Sequence, residues 1–437
     1  MSLMQLFGTS GIRRLFDEDL VQLALRVGMA LGKGYGSVVV ASDTRTSADV
    51  LKHALISGIL SGGASCSDGG VLPTPTLAFA ARSFRAGVMI TASHNPPEYN
   101  GIKLINPDGS AFSPAQCRQV EDLVLGDLPR AVPWQEIGSS SVISGAARGH
   151  SERILRDLPT GLGLKVVVDC GCGPASGITP DLLRKLGCRV VGLNCYPSGF
   201  FPRNPEPTEA NLGDLIKATK EFGADLGIAH DGDADRMMAV DDKGRFVPGD
   251  KLLGLFAREA GAKEVVTTLD ASMAIEEMGF KVTRTRIGDT AVSEELKGGG
   301  DFGGEPSGSW IFPDISLCPD GIYAAGRIAV IASCKRLSGL IDGIPAYPIL
   351  RGGVRVEGVA MSELEPRLAA MKPLSLNKRD GIRLSFADGW LLIRASGTEP
   401  KVRVTAEARS QAQAEEFYNS GIRIVKECSK EGREGSL

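Results

Sequence analysis

Apolar positions recur along this chain in two alternating rhythms, one helical and one strand-like. Leu20, Leu23, Val27, Ala30 and Leu31 stand at helical spacing and predict a helix from about Glu18 to Lys33, with Asp17 as its cap. Val38 to Ala41 reads as a strand ending at Ser42-Asp43-Thr44-Arg45, and a helix is predicted from Ala48 to Leu60. Another helix is expected over Pro73 to Phe84, followed by a buried strand in the apolar run Gly87 to Ile90. That strand delivers Ser93 into a loop that Pro96 and Pro97 stop from continuing as strand or helix. Lys103 falls on the first strand of an expected hairpin turning at Asn106-Pro107-Asp108-Gly109. Ser113 to Leu125 closes this unit, and the weakly patterned, Ser-rich stretch 138–150 reads as a junction.

The same alternation continues downstream. From Ser151 the pattern predicts a strand over Leu164 to Asp169, a Gly-rich turn, a helix from Pro180 to Leu186, a helix over 211–222 and a strand over Asp225 to Ala229. The turn lacks nucleotide-loop spacing, so packing is its expected role. From Asp250 come a helix to Ala260, strand Glu264–Thr268, a helix near Met273, strand Lys281–Arg286 and a helix from Thr290. A short strand then feeds Gly303 to Ser309, and Ile344–Pro348 reads as a linker. The last part differs: strand 351–358, helix 362–371, strands near 381–386, 390–395 and 401–407, then helix 410–428, which is an α+β pattern. The expected fold class is α/β, with three similar domains carrying mixed, mainly parallel sheets and a smaller C-terminal α+β domain. The expected boundaries are 1–150, 151–249, 250–346 and 347–437.

Composition narrows the function classes. At 437 residues the chain is too long for one core. A formal net charge of −3 gives no basic field for nucleic acid or an anionic membrane. Nine cysteines without a regular framework predict reduced thiols in the cytoplasm. Cys170-Gly171-Cys172 has the wrong spacing for a zinc site, so a structural role is expected. No apolar run reaches membrane-spanning length and no signal peptide is visible.

The candidate chemistry lies in loops that follow strands, where open α/β sheets place their ligands. Ser93, His94 and Lys103 put a hydroxyl, an imidazole and an ammonium around one corner, which suits a nucleophile that handles phosphate. Asp231-Gly232-Asp233-Ala234-Asp235-Arg236 sets three carboxylates at alternate positions, where they repel unless a cation holds them. Hard oxygen ligands point to Mg²⁺ or Ca²⁺. An EF-hand is the competing motif, but Arg236 stands where its glycine belongs and Asp242 where its glutamate belongs. A solvated acidic turn is the plainer alternative. Arg394-Ala395-Ser396-Gly397-Thr398, with Arg403 beyond, has the composition of a phosphate cradle or of an ordinary polar turn. Glu305 and Ser307, between glycines, fit sugar hydroxyls or a turn.

Together these stretches resemble the α-D-phosphohexomutase family, in the same order and over essentially the whole chain. Ala92-Ser93-His94-Asn95-Pro96 resembles its phosphoserine loop, Asp231 to Arg236 its metal loop, Gly304 to Gly308 its sugar-binding loop and Arg394 to Glu399 its phosphate-binding loop. Gly8-Thr9-Ser10-Gly11-Ile12-Arg13 is similar to its amino-terminal motif. The resemblance implies four domains around a central cleft, and a phosphorylated Ser93 that donates to a hexose monophosphate and takes back the other phosphate of the bisphosphate formed. It further implies Mg²⁺ on Asp231, Asp233, Asp235 and the Ser93 phosphate, and a hexose bisphosphate as activator. Arg13, His94, Lys103 and Arg236 would surround the transferred group, with Lys103 as the expected acid/base and Arg13 or His94 as the alternatives. Arg394, Ser396, Gly397, Thr398 and Arg403 would grip the distant phosphate, and Glu305 and Ser307 the sugar.

Departures from the family pattern bear on the sugar. Ser309 stands where many relatives carry His or Asn, Pro306 stiffens the loop, and Gly288-Asp289 continues with Thr290-Ala291 without a basic residue. The combination is closest to archaeal-type phosphoglucosamine, phosphomannose or phosphoglucose mutases, and the start at Phe7 to Arg13 tilts the expectation to glucosamine. The expected partner is a small sugar phosphate, with no nucleic acid or membrane, on a monomer or homodimer. A phosphohydrolase and a non-catalytic sugar-phosphate-binding protein are the competing readings.

Overall fold

The structure, a computed structural model, describes residues 6–8, 10–126, 130–356, 361–395 and 401–429. Its strands form four separate sheets. The first has six strands, in the order Ile12–Leu15, Tyr99–Ile105, Ala86–Ile90, Ser37–Ser42, Ser65–Val71, Ser140–Val142. The second runs Met237–Val240, Leu226–His230, Lys165–Asp169, Arg189–Leu193, and the third Lys281–Thr285, Glu264–Thr268, Phe302–Gly304, Trp310–Ile311. The fourth, five strands from Ile349–Arg355 to Ser375–Asn377, is antiparallel throughout. Strand–helix alternation thus gives mainly parallel sheets three times and then stops, as the patterning predicts.

One arrangement repeats in the first three sheets. A buried strand ends in a polar loop, and the chain returns antiparallel beside that strand: Ala86–Ile90 with Tyr99–Ile105, Leu226–His230 with Met237–Val240, Phe302–Gly304 with Trp310–Ile311. The three loops so presented carry Ser93, the aspartates and Glu305. Strand Tyr99–Ile105 is therefore a sheet strand between Ala86–Ile90 and Ile12–Leu15, and the expected hairpin turn at Asn106 is present but short. Only one bridge, Ile105 to Ala111, crosses that turn.

Other expectations shift in detail. Residues 138–150 are not a plain junction: Ser140–Val142 adds the sixth strand, and helix Ala146–Asp157 follows. That helix runs through position 150, so a boundary there would cut it; His150 and Ile154 are buried on either side. Helix Glu18–Gly34 starts at Asp17, whose carboxylate accepts from Leu20 N at 2.8 Å. The patterning does not predict helix Gly321–Cys334, because its sequence is apolar on nearly every face and shows no amphipathic period. Its start packs on the aspartate loop, where a Cβ at Gly321 would stand 2.5 Å from the Arg236 carbonyl oxygen.

The second and third units share one continuous core, in which Phe256 meets Phe302, Trp310 and Phe312 with ring centroids 5.3–6.2 Å apart. The first and fourth units have cores of their own. No helix among the described residues is long and apolar enough to cross a membrane. All nine cysteines are free thiols.

Candidate active site

The Ser93 loop and the aspartate loop face each other where the first two units meet. Ser93 is 1% exposed, and its Oγ donates to Asp231 Oδ2 at 2.7 Å. Gly232 lies against the Ser93 backbone so closely that a Cβ there would stand 2.3 Å from the Ser93 carbonyl oxygen, which only glycine permits. Lys103 reaches in from the returning strand and gives its ammonium to Asp233 Oδ2 at 2.7 Å and Asp235 Oδ2 at 2.6 Å. Thr74, at the start of helix Thr74–Ala81, donates from Oγ1 to Asp233 Oδ2 at 2.5 Å and from its backbone N to the Asp233 carbonyl. Arg13 extends from its edge strand to Asn95 Oδ1 at 3.2 Å.

The charges are mutually constrained. Burial, then Asp235 and Asp233, holds the Asp231 carboxyl well above the usual carboxylate range. Burial also opposes charge on Asp233, yet Lys103 outweighs it and brings this carboxyl down to about 2. Lys103 shows the complement: burial disfavours its ammonium, but Asp233 and Asp235 keep it protonated above the ordinary lysine range. The Arg236 guanidinium, then burial, then Arg13, Lys103 and Arg45 push His94 far below the ordinary imidazole range. His94 is therefore neutral, with Nδ1 3.4 Å from Ser93 Oγ. A group wedged among four cations is a place for an anion.

The same loop fits a divalent cation. One oxygen each of Asp231, Asp233 and Asp235 lies within 4.8 Å of the others, the only such group of three among the described residues. Lys103 occupies only the Oδ2 atoms of Asp233 and Asp235, and both Oδ1 atoms are buried without a partner. Orphaned carboxylate oxygens in a protein interior cost enough to require a ligand. Hard oxygen donors of this kind suit Mg²⁺.

The third unit adjoins this centre. Arg236 pairs with Ser309 in an isolated antiparallel bridge, and Met237 N donates to the Gly308 carbonyl, so the Glu305 loop is stitched to the aspartate loop. Glu305 is buried and accepts from Gly288 N at 2.8 Å, whereas Ser307 lies exposed at the loop tip. Asp289 accepts from Ser10 Oγ at 2.6 Å, joining the amino-terminal motif to the third unit. A crevice of about 730 Å³ opens here, lined among others by Ser10, Lys103, Asp235, Arg286, Asp289 and Asp380.

Asp380 ties in the fourth unit, accepting from Ile287 N at 3.0 Å and from Arg394 Nε at 3.1 Å. Arg394 and Arg403 stand directly opposite on neighbouring antiparallel strands, so both project from one face. Like charges so placed repel and favour a shared anion. Ser396, Gly397 and Thr398 lie outside the described residues, as does Thr9. Sequence reasoning misses Thr74 and Asp380 because nothing local marks them, and it notes the Gly288-Asp289 segment only for the residues that follow it. The fold brings all three side chains to the site.

Burial, with Asp289 next, raises the Glu305 carboxyl from 4.5 to about 8. Stability from this group is complete below pH 4.5 and is lost as pH rises toward 8, because the unfolded chain ionises first. Glu305→Gln, which cannot ionise, should therefore melt progressively higher than the parent between pH 5 and pH 8. The gain is at most roughly 5 kcal/mol from the size of the shift. Melting curves at the two pH values test this; an equal offset at both would remove the explanation.

Comparison with known proteins converges on one assignment. Four successive family descriptions match: Phosphoglucomutase/phosphomannomutase, alpha/beta/alpha domain I over residues 4–128, domain II over 148–244, domain III over 248–347, and the C-terminal domain over 354–420. A "Probable phosphoglucosamine mutase" of Methanocella arvoryzae is 50% identical, over 97% of this chain and 99% of its own length. One of the same description from Methanococcoides burtonii is 47% identical over 97% of this chain and all of its own. Among solved structures, a phosphoglucomutase/phosphomannomutase family protein of Burkholderia thailandensis superposes with a TM-score of 0.86 at 28% identity, covering 97% of each chain. With Ser93, the aspartate loop, the Glu305 loop and Arg394 following one another in the family's order, this chain belongs to the phosphoglucomutase/phosphomannomutase, or α-D-phosphohexomutase, family.

Proposed function

We propose that this enzyme interconverts glucosamine 1-phosphate and glucosamine 6-phosphate through a phosphorylated Ser93 and a bisphosphate intermediate. The observation that carries the chemistry is the buried Ser93 hydroxyl, bonded to Asp231 and ringed by Arg13, Lys103, Arg236 and neutral His94. The choice of glucosamine rests on the naming of relatives at 42–50% identity.

In this reading phospho-Ser93 gives its phosphoryl group to a free hydroxyl of the bound sugar phosphate. The resulting bisphosphate turns over in the crevice and returns its other phosphate to the serine. Asp231, Asp233, Asp235 and the Ser93 phosphate would hold Mg²⁺. The ion, when bound, offsets charge on the oxygens of the phosphoryl group. Arg13 and Arg236 neutralise the same oxygens from the protein side. Lys103, held as an ammonium by Asp233 and Asp235, can give a proton to the leaving sugar oxygen. To take the sugar hydroxyl's proton it would first pass its own to one of those carboxylates, and a loose phosphoryl-transfer transition state asks little basicity of it. Arg394 and Arg403 grip the non-reacting phosphate in both orientations, while Glu305 and Ser307 face the sugar hydroxyls. A hexose bisphosphate serves as activator because it rephosphorylates Ser93 whenever the intermediate escapes.

The test is turnover with Mg²⁺ on glucosamine, mannose and glucose 1-phosphates, each primed with a hexose 1,6-bisphosphate. Fastest conversion of the glucosamine compound to its 6-phosphate is expected. Preference for mannose or glucose would reassign the sugar, and release of free phosphate without a 6-phosphate product would make the protein a phosphohydrolase.

A further inference from the structure

Ser93 holds a backbone conformation that its own residue type does not favour. Its φ of +50° lies in the left-handed region, which costs a non-glycine residue about 1 kcal/mol or more. Something outside the loop must maintain it. Arg45, 2% exposed, lies behind the loop at the end of strand Ser37–Ser42. Its Nε donates to Asp43 Oδ2 at 3.0 Å. One terminal nitrogen donates to the carbonyls of Pro96 at 2.6 Å and Tyr99 at 2.8 Å, and the other to those of Ser93 at 2.8 Å and Asn95 at 2.7 Å. A guanidinium has five N–H donors, so each one is used. Asp43 is fixed in turn, accepting from Arg45 N at 2.9 Å and Thr91 Oγ1 at 2.6 Å.

The second unit closes on the same group. Gly232 presses on the Ser93 carbonyl from the aspartate loop, and the Phe201 ring centroid lies 5.2 Å from the guanidinium carbon. The Ser93 carbonyl is thus trapped between Arg45 and the loop that would hold the metal.

We propose that Arg45 is a positioning residue for phosphoryl transfer, fixing through four carbonyls the backbone from which Ser93 Oγ is aimed. The proposal rests on the reading of Ser93 as the phosphoryl carrier. Arg45 touches no reacting atom. A lysine cannot replace it, because three donors on a single nitrogen cannot span four carbonyls and a carboxylate.

The experiment compares parent, Ser93→Ala, Arg45→Lys and Arg45→Ala, all as full chains. It follows the rate of Ser93 phosphorylation by a hexose 1,6-bisphosphate through intact mass, with kcat, KM and thermal melting alongside. Misplacing a nucleophile by a fraction of an ångström to an ångström costs about 100-fold, so folded Arg45→Lys should label about 100-fold more slowly. Its KM should stay within about threefold, since ground-state binding is untouched. Millimolar guanidinium should partly restore labelling in Arg45→Ala and leave Arg45→Lys unchanged. Labelling of either folded variant at the parent rate overturns the proposal. So does a loss that tracks only the unfolded fraction, or failure of both variants to fold, which would make Arg45 a folding determinant. If the parent itself never becomes phosphorylated at Ser93, the functional reading fails first and this proposal with it.

Discussion

Ser93→Ala is expected to lower mutase turnover by about 10⁴-fold or more while leaving the protein folded, as removal of a covalent nucleophile does elsewhere. The parent, incubated with a hexose bisphosphate, should gain the mass of one phosphoryl group, and the variant none. The fold should tolerate the change because the loop is held by backbone hydrogen bonds rather than by the hydroxyl. Arg45 bonds the carbonyls of Ser93, Asn95, Pro96 and Tyr99, and Thr91 Oγ1 accepts from Ser93 N at 2.9 Å. The substitution removes the hydrogen bond from Oγ to Asp231, whose carboxyl is already held above its usual range by burial and its acidic neighbours. The variant should therefore melt within a few degrees of the parent, a change of about 1 kcal/mol. Residual turnover within tenfold of the parent would mean that phosphate moves without a serine carrier.

Much of this centre is legible in the sequence because several chemistry-bearing loops follow strands in one chain, each ordinary as a turn by itself but together fitting phosphate chemistry. Three aspartates at alternate positions after a buried strand repel one another and point to a cation once the loop is buried, and Pro96-Pro97 forces a loop just where Ser93 leaves its strand. Secondary structure follows for the same local reason, and strand Glu264–Thr268 has the bounds its pattern predicts. What escapes is what depends on packing across the fold. Helix Gly321–Cys334 is buried on nearly all sides, so it has no polar face to reveal its period. Arg45 reads as one polar residue at a strand end, and its role appears only when four carbonyls from residues 93–99 surround it. Lys103 is recognised as a site residue, yet the pairing of its strand between two others in the sheet, more than the short hairpin after it, is what carries its ammonium to Asp233 and Asp235.

Lys103 also decides how the protein behaves without its metal. Three buried carboxylates with no counter-charge would destabilise the fold by several kcal/mol. Here the ammonium takes one oxygen each of Asp233 and Asp235 and leaves their partnerless Oδ1 atoms for a divalent ion. Chelation is therefore expected to abolish turnover, by about 10³-fold or more, yet to leave the chain folded, and Mg²⁺ should restore activity fully. Lys103→Met should separate the two cations. Without the ammonium, the metal-free variant keeps a buried, unpaired acidic cluster and should lose about 3–5 kcal/mol relative to the parent. Arg13 and Arg236 act on the aspartates without forming ion pairs with them, so Mg²⁺ becomes the one directly bound counter-charge. The rise in melting temperature on adding it should therefore be several degrees larger in the variant than in the parent. Melting curves in chelator and in excess Mg²⁺, for both proteins, give the four values required. Equal Mg²⁺ shifts in the two proteins would mean that Lys103 does not balance the aspartates, and a chelated parent that turns over at its full rate would take the metal out of the mechanism.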